Sequence, residues 1–171
     1  MAVLICTALL CVYTPPRHST YMQQMGTCLS LVAESQSVAI DPTLSASLGW
    51  HETRLRANLT SSKGAKGPLQ VIPKIWCKSE PCDYTRAGLR ALKHYLDKEP
   101  TERRAICRYN AGTCKPKSWA WAGKVMRLAD SVRETVREQQ AQSPQHLTQT
   151  QLHPRGCCCP TTDAVSELTL W

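Results

Sequence analysis

The chain has 171 residues, a formal net charge of +8 and a sequence pI near 9.1. This length is typical of one domain that can bury a core without extra cross-links. The positive charge would attract nucleic acid, an anionic membrane or bacterial cell wall. Because the basic residues are dispersed and form no single Lys/Arg block, we do not expect nucleic acid to be a partner.

The first 25 residues are predicted to be an export signal or an N-terminal extension. The apolar run from Ala2 to Val12 is too short to cross a bilayer as a helix, so no stable membrane span is expected. It resembles the hydrophobic region of an export signal. The alternative is an upstream extension, since Met22 or Met25 can each begin the folded part.

Ten cysteines are unusual for a reducing compartment and favour export. The four in the body of the chain permit three disulfide pairings. The simplest pairing joins Cys77 to Cys82 and Cys107 to Cys114. A zinc site is the alternative, but four and six intervening residues differ from the tight spacing of zinc ligands. We therefore expect no metal and no cofactor.

The first clear helix signals lie between residues 29 and 55. Leu29 and Val32 have helical spacing, and a break follows near Ser37. Asp41 can cap the next helix, with Pro42 at its first position. One face of that helix is predicted to carry Leu44, Leu48, Glu52 and Leu55.

The rest of the chain predicts a loop, three further helices and a tail. Residues 58–73 contain glycine and proline and read as a loop with a short helical turn. Helices are expected over Ala87–Lys98, over Thr101–Tyr109 with a glycine stop at Gly112, and from a cap at Ser118 to Val136. No segment alternates apolar and polar residues with the period of two that indicates a β-strand. The predicted fold class is therefore mainly α, and the predicted domain covers residues 28–138. Residues 139–171 are rich in Gln, Ser, Thr and Pro, include Cys157–Cys159, and are predicted to be a disordered tail.

Three short motifs carry the chemistry. Glu52 lies in WHET, and no other Asp or Glu occurs from Thr53 to Ser79. The run SSKGAKGPLQ ends at Gln70, and RYNAG ends at Gly112. A helix face shared with leucines would desolvate Glu52 and raise its pKa, as a general acid requires.

In their order, and in the internal spacing of the glycine-glutamine motif, these motifs resemble those of the soluble lytic transglycosylases, relatives of goose-type lysozyme that cleave bacterial peptidoglycan. Members of that family carry a catalytic Glu followed by Ser, then Ser-x-x-Gly-Ala-x-Gly-Leu-Met-Gln, then Ala-Tyr-Asn-Ala-Gly. The resemblance covers the chain from about Leu29 to about Val136. It departs from the family at Thr53, Pro68, Leu69 and Arg108.

The resemblance implies a lysozyme-like α-helical domain with a glycine-containing loop beside the catalytic helix. It implies that Glu52 is catalytic and that peptidoglycan glycan strands are the substrate, in the cell envelope or periplasm. A phage particle or a secretion-system assembly is the alternative carrier. The residues that it implies for binding the substrate are Ser61, Gly64, Gly67, Gln70, Tyr109 and Asn110.

Two further functions stay open on the sequence. A lysozyme-type hydrolase would need a second carboxylate to activate water. Folding can bring one in from among Glu34, Asp83, Glu99 and Glu102. A non-catalytic wall-binding or assembly factor would need neither acid.

Overall fold

The computed structural model describes residues 1–11, 18–79 and 81–142. Within these ranges the chain is mainly helical, which confirms the mainly α part of the predicted fold class, and the only β pairing is a pair of isolated bridges in the loop after α3. The helices, in chain order, are α1 Ala2–Cys11, α2 His18–Ser37, α3 Pro42–Thr53, α4 Pro73–Trp76, α5 Tyr84–Lys98, α6 Glu102–Ala111 and α7 Pro116–Gln142.

Helix α3 lies at the centre of the fold, in contact with α1, α2 and α7. All residues from Thr43 to Trp50 are buried, so this helix has no solvent-exposed face along most of its length. Small residues make the close packing possible. At Gly49, for example, an added Cβ would lie 2.9 Å from the Leu31 side chain. The sequence predicted one apolar stripe, and the structure buries the helix on every side.

The ends of α3 are set by local signals. Asp41 accepts a 2.7 Å hydrogen bond from the Thr43 amide, and Pro42 takes the first helical position, as predicted. The helix stops at Thr53, because Arg54 and Leu55 both adopt left-handed backbone conformations. Leu55 is therefore buried as a contact beyond the helix end, and the prediction that it lies on the helix face is wrong.

Helix α1 contributes to the core. Ile5, Leu9 and Leu10 are almost fully buried, and the helix packs on α2, α3 and α7. A disulfide joins Cys6 to Cys28 across α1 and α2, a pairing that the sequence did not suggest. The predicted role of this segment in export stays a prediction.

Other boundaries differ modestly from the predicted ones. Helix α5 begins earlier than predicted, after a cap at Asp83. Ser118 does not cap α7, which begins at Pro116; its hydroxyl accepts instead from the Lys115 amide just before the helix. Helix α7 also continues to Gln142, past the predicted domain end, whereas the rest of the predicted tail lies outside the described residues.

The two predicted disulfides are present. Cys77 and Cys82 are joined with their Cα atoms 5.7 Å apart, and Cys107 and Cys114 with theirs 5.4 Å apart. The first closes the turn after α4, and the second ties the middle of α6 to the segment before α7. In the described ranges, no helix combines the length and the apolar character that crossing a membrane requires.

Candidate active site

Glu52 occupies the last turn of α3, where the buried helix reaches the surface. Its side chain is partly buried, and its neighbours Trp50 and Thr53 are buried. Desolvation raises the pKa of Glu52 to about 7, and a hydrogen bond with the Asn110 side chain opposes this rise. At neutral pH this carboxyl group therefore exists in both its protonated and its ionised form.

Helix α6 brings two predicted site residues to Glu52. Asn110 lies within hydrogen-bond reach of the carboxyl group. Tyr109 is close enough for the charge of Glu52 to raise its pKa further, beyond the larger effect of burial. The Tyr109 hydroxyl donates a 2.6 Å hydrogen bond to the Leu69 carbonyl, so its proton is used to hold the loop that follows α3.

A cleft of about 380 Å³ extends from this point. Tyr109 and Asn110 belong to its lining, and Glu52 lies beside the cleft through its hydrogen bond with Asn110 without lining it. An aromatic row follows, with Tyr95 6.3 Å from Tyr109 and Trp76 6.4 Å from Tyr95, measured between ring centroids. Sequence reasoning did not place Trp76 or Tyr95 at the site. The only signal for them was the abundance of Trp and Tyr, which does not indicate a position.

No Asp or Glu lines this cleft in the described part of the chain. The four acids considered as a second carboxylate are paired with arginines instead. Glu34 and Asp83 contact Arg86, Glu99 contacts Arg104 and Arg108, and Glu102 contacts Arg133. None of them contributes to the pKa shift of Glu52.

The predicted loop residues mainly shape the loop. The Ser61 hydroxyl accepts a 3.0 Å hydrogen bond from the Ala65 amide. Gly64 and Gly67 both have left-handed backbones, with φ of 78° and 77°. At Gly67 an added Cβ would lie 2.6 Å from the Cβ of Tyr84, so this glycine permits close packing on α5. A direct contact of these three residues with substrate stays a prediction.

Gln70 has both a structural role and a place in the cleft. Its side-chain nitrogen donates to the carbonyls of Leu59 and Gly67, each at 3.1 Å. The residue also lines the cleft, with a φ of 50°. Its amide therefore fixes the loop at the point where the loop borders the open volume.

His51 lies beside Glu52 on the side of α3 that faces α7. Its ring meets Trp121 edge-on, with centroids 6.3 Å apart. Burial lowers the pKa of His51, and the nearby charges of Arg54, Lys124 and Arg127 lower it further, against a smaller opposing effect of a hydrogen bond to the Lys124 backbone. Burial and these charges thus favour the neutral form of the imidazole next to the candidate acid.

The described residues include no group of three or more His, Cys, Asp or Glu placed to hold a metal ion. What the site offers is one carboxyl group with a pKa near neutrality, an adjacent amide and an aromatic cleft. One such carboxyl group can first donate a proton and then accept one. Comparison of the chain with profiles of known protein families, with curated protein sequences and with solved structures found no match.

Proposed function

We propose that the protein is a peptidoglycan lytic transglycosylase with Glu52 as its single catalytic acid and base. It cleaves the β-1,4 bond between N-acetylmuramic acid and N-acetylglucosamine and leaves a 1,6-anhydro end. A lysozyme-like arrangement of the helices is part of this proposal. The support is the resemblance of the three motifs together with the surroundings of Glu52.

One observation carries the proposal: the Glu52 carboxyl group, with a pKa near 7, lies beside a cleft that no other Asp or Glu of the described residues lines. Two-carboxylate glycosidases hold their acids roughly 5 to 9.5 Å apart. Here the four acids considered for that role are held by arginines. A reaction in which the substrate supplies the nucleophile needs one acid only.

The reaction proceeds in two proton transfers. Protonated Glu52 donates its proton to the glycosidic oxygen, the bond to the muramic C1 breaks, and the carbonyl oxygen of the N-acetyl group on the same sugar stabilises the positive centre. The ionised carboxylate of Glu52 then removes the proton from the C6 hydroxyl, whose oxygen bonds to C1. The carboxyl group is restored, and no water is consumed.

The cleft supplies the binding surface. The rings of Trp76, Tyr95 and Tyr109 present apolar area that suits sugar faces, and the Asn110 amide can orient Glu52 or the acetamido group. The three disulfides fit an oxidising compartment and thus the proposed envelope location or delivery by a phage or a secretion apparatus.

The test is digestion of purified peptidoglycan, with mass analysis of the products. Anhydro ends, one water lighter than reducing ends, support the proposal. Glu52→Gln is expected to reduce the rate at least about 100-fold, because it removes the only acid and base. Glu134→Gln, on the exposed part of α7, is the matched control and should retain activity.

The alternatives give different results in the same assay. Reducing ends would assign a hydrolase, and would show that another acid or an activated water takes part. A wall-binding factor would bind peptidoglycan, release no product, and bind equally as the Glu52→Gln variant. Unchanged product formation by Glu52→Gln would overturn the catalytic assignment.

A further inference from the structure

Two arginine side chains from different helices converge above Gly123 on α7. A Cβ built on Gly123 would lie 3.0 Å from Nη2 of Arg103, on α6, and 3.4 Å from Nη1 of Arg127, on α7. Gly123 is buried beneath these two groups. The missing side chain thus leaves room for two guanidinium groups to approach the same point.

Neither guanidinium group has an acidic partner in the described part of the chain. The acids close to them in sequence pair with other arginines: Glu99 with Arg104 and Arg108, and Glu102 and Asp130 with Arg133. Like charges placed close together repel, so the arrangement is unfavourable in the absence of an anion.

Arg103 is held in place. Its guanidinium group stacks on the Trp119 ring, 4.5 Å from the ring centroid, and donates a 3.3 Å hydrogen bond to the Trp119 carbonyl. Its Nε atom is enclosed, and no acceptor lies within hydrogen-bond distance in the described residues. A guanidinium group that is oriented and partly desolvated is suited to binding an oxyanion.

The positive charge extends towards the candidate active site. Arg127 and Lys124 both lower the pKa of His51, which shows that they lie near the end of α3. Arg54 adds a third charge there. An anionic group held over Gly123 would therefore lie among basic residues that also surround His51, the chain neighbour of Glu52.

We propose that Arg103 and Arg127 form an oxyanion-binding site over Gly123 that accepts a carboxylate or a phosphate group. If the proposed function holds, on which the identity of the ligand rests, the natural source is a carboxylate of the peptide attached to the muramic sugar. A phosphodiester of a wall polymer is the other source of the same chemistry.

The test measures binding and requires no cleavage. In the Glu52→Gln background, affinities are measured for a glycan tetramer with its stem peptides, for the same tetramer with the peptide carboxylates converted to amides, and for glycerol phosphate. Arg103→Gln/Arg127→Gln and the single variant Arg127→Gln are compared with Arg137→Gln, which removes the same single charge as Arg127→Gln from the far end of α7, where Arg137 pairs with Glu134. Thermal unfolding verifies that each variant is folded.

The expected result is a loss of affinity of about tenfold or more for the peptide-bearing glycan in the double variant, because two charged hydrogen bonds are removed. The amidated glycan should bind wild type and double variant equally, and Arg137→Gln should bind like wild type. Arg127→Gln alone replaces the double variant if the latter does not fold, because Arg127 is exposed.

Two other outcomes are decisive. In the first, wild type binds glycerol phosphate saturably, the double variant does not, and wild type binds the native and the amidated glycan equally. This result supports the site and assigns the phosphate as its ligand. Equal affinity of wild type and double variant for every ligand overturns the proposal. An inactive enzyme would refute the proposed function and leave this measurement valid.

Discussion

The Thr53 hydroxyl lies 3.0 Å from the carbonyl oxygen of Pro68 and 3.1 Å from that of Gly49. One buried hydroxyl thus joins the last turn of α3 to the glycine-containing loop. Because Glu52 directly precedes Thr53 in the chain, this contact also fixes the position of Glu52 relative to the loop that borders the cleft.

Replacing Thr53 by Val should therefore disturb both stability and activity. Valine has the same shape but leaves the Pro68 carbonyl without its donor, at a cost of about 1–3 kcal/mol. Urea unfolding measures the loss, and product formation measures the effect on Glu52. Thr53→Ser retains the hydroxyl and is expected to stay close to wild type; an equal loss in both variants would contradict a role for the hydrogen bond.

Activity should fall as the pH rises through about 7. The raised pKa of Glu52 keeps its carboxyl group protonated below that value, and the first step needs the protonated form. The measurement is the pH dependence of kcat/KM for anhydro product on soluble glycan. Constant activity between pH 5 and pH 9 would show that the pKa of Glu52 does not control the rate.

Asn110→Ala should move the fall of activity at alkaline pH, the alkaline limb of the pH profile, to higher pH. The Asn110 side chain lowers the pKa of Glu52 by a hydrogen bond, so its removal raises that pKa further. Asn58→Ala, in the exposed loop after α3, is the control and should leave the profile unchanged. A fall in rate with no shift of the limb would instead indicate that Asn110 acts only on the substrate.

Glu52→Gln should be more stable than wild type at alkaline pH. The pKa of Glu52 is raised in the folded state, so its contribution to stability is full below pH 4.5 and is lost as the pH rises through about 7. The glutamine does not titrate, so the difference between the two proteins should grow by about 2–3 kcal/mol across that range. Thermal unfolding at pH 4.5 and pH 8 measures it. A difference that does not change with pH would contradict the shifted pKa.

Removal of residues 1–17 should lower the free energy of unfolding by several kcal/mol. The truncation exposes the surface that Ile5 and Leu9 cover, and each of these side chains contributes about 1.5–3 kcal/mol by burial. It also removes the disulfide to Cys28. The full chain with Cys6→Ser and Cys28→Ser separates the two effects. Equal stability of the full and shortened chains would show that α1 is dispensable to the fold.

Local signals in the sequence were sufficient to predict those features that depend only on residues close together in the chain. The cap at Asp41, the stop at Gly112 and the two short disulfide loops were all predicted, because each depends on residues a few positions apart. The desolvation of Glu52 was also foreseen, from leucines spaced along its helix. Periodicity did not show that α3 is buried on every side, since close packing by α1 and α2 depends on contacts that are distant in the chain.

The sequence by itself determined a helical chain with one acid near the end of a capped helix and three motifs in a fixed order. Only the tertiary structure decided what surrounds that acid. Folding places the Asn110 amide beside Glu52, pairs Glu34, Asp83, Glu99 and Glu102 with arginines, and brings Arg103 to Arg127. The pKa of a carboxyl group depends on burial and on charges within a few ångströms, and distances between helices are set by packing, not by sequence separation.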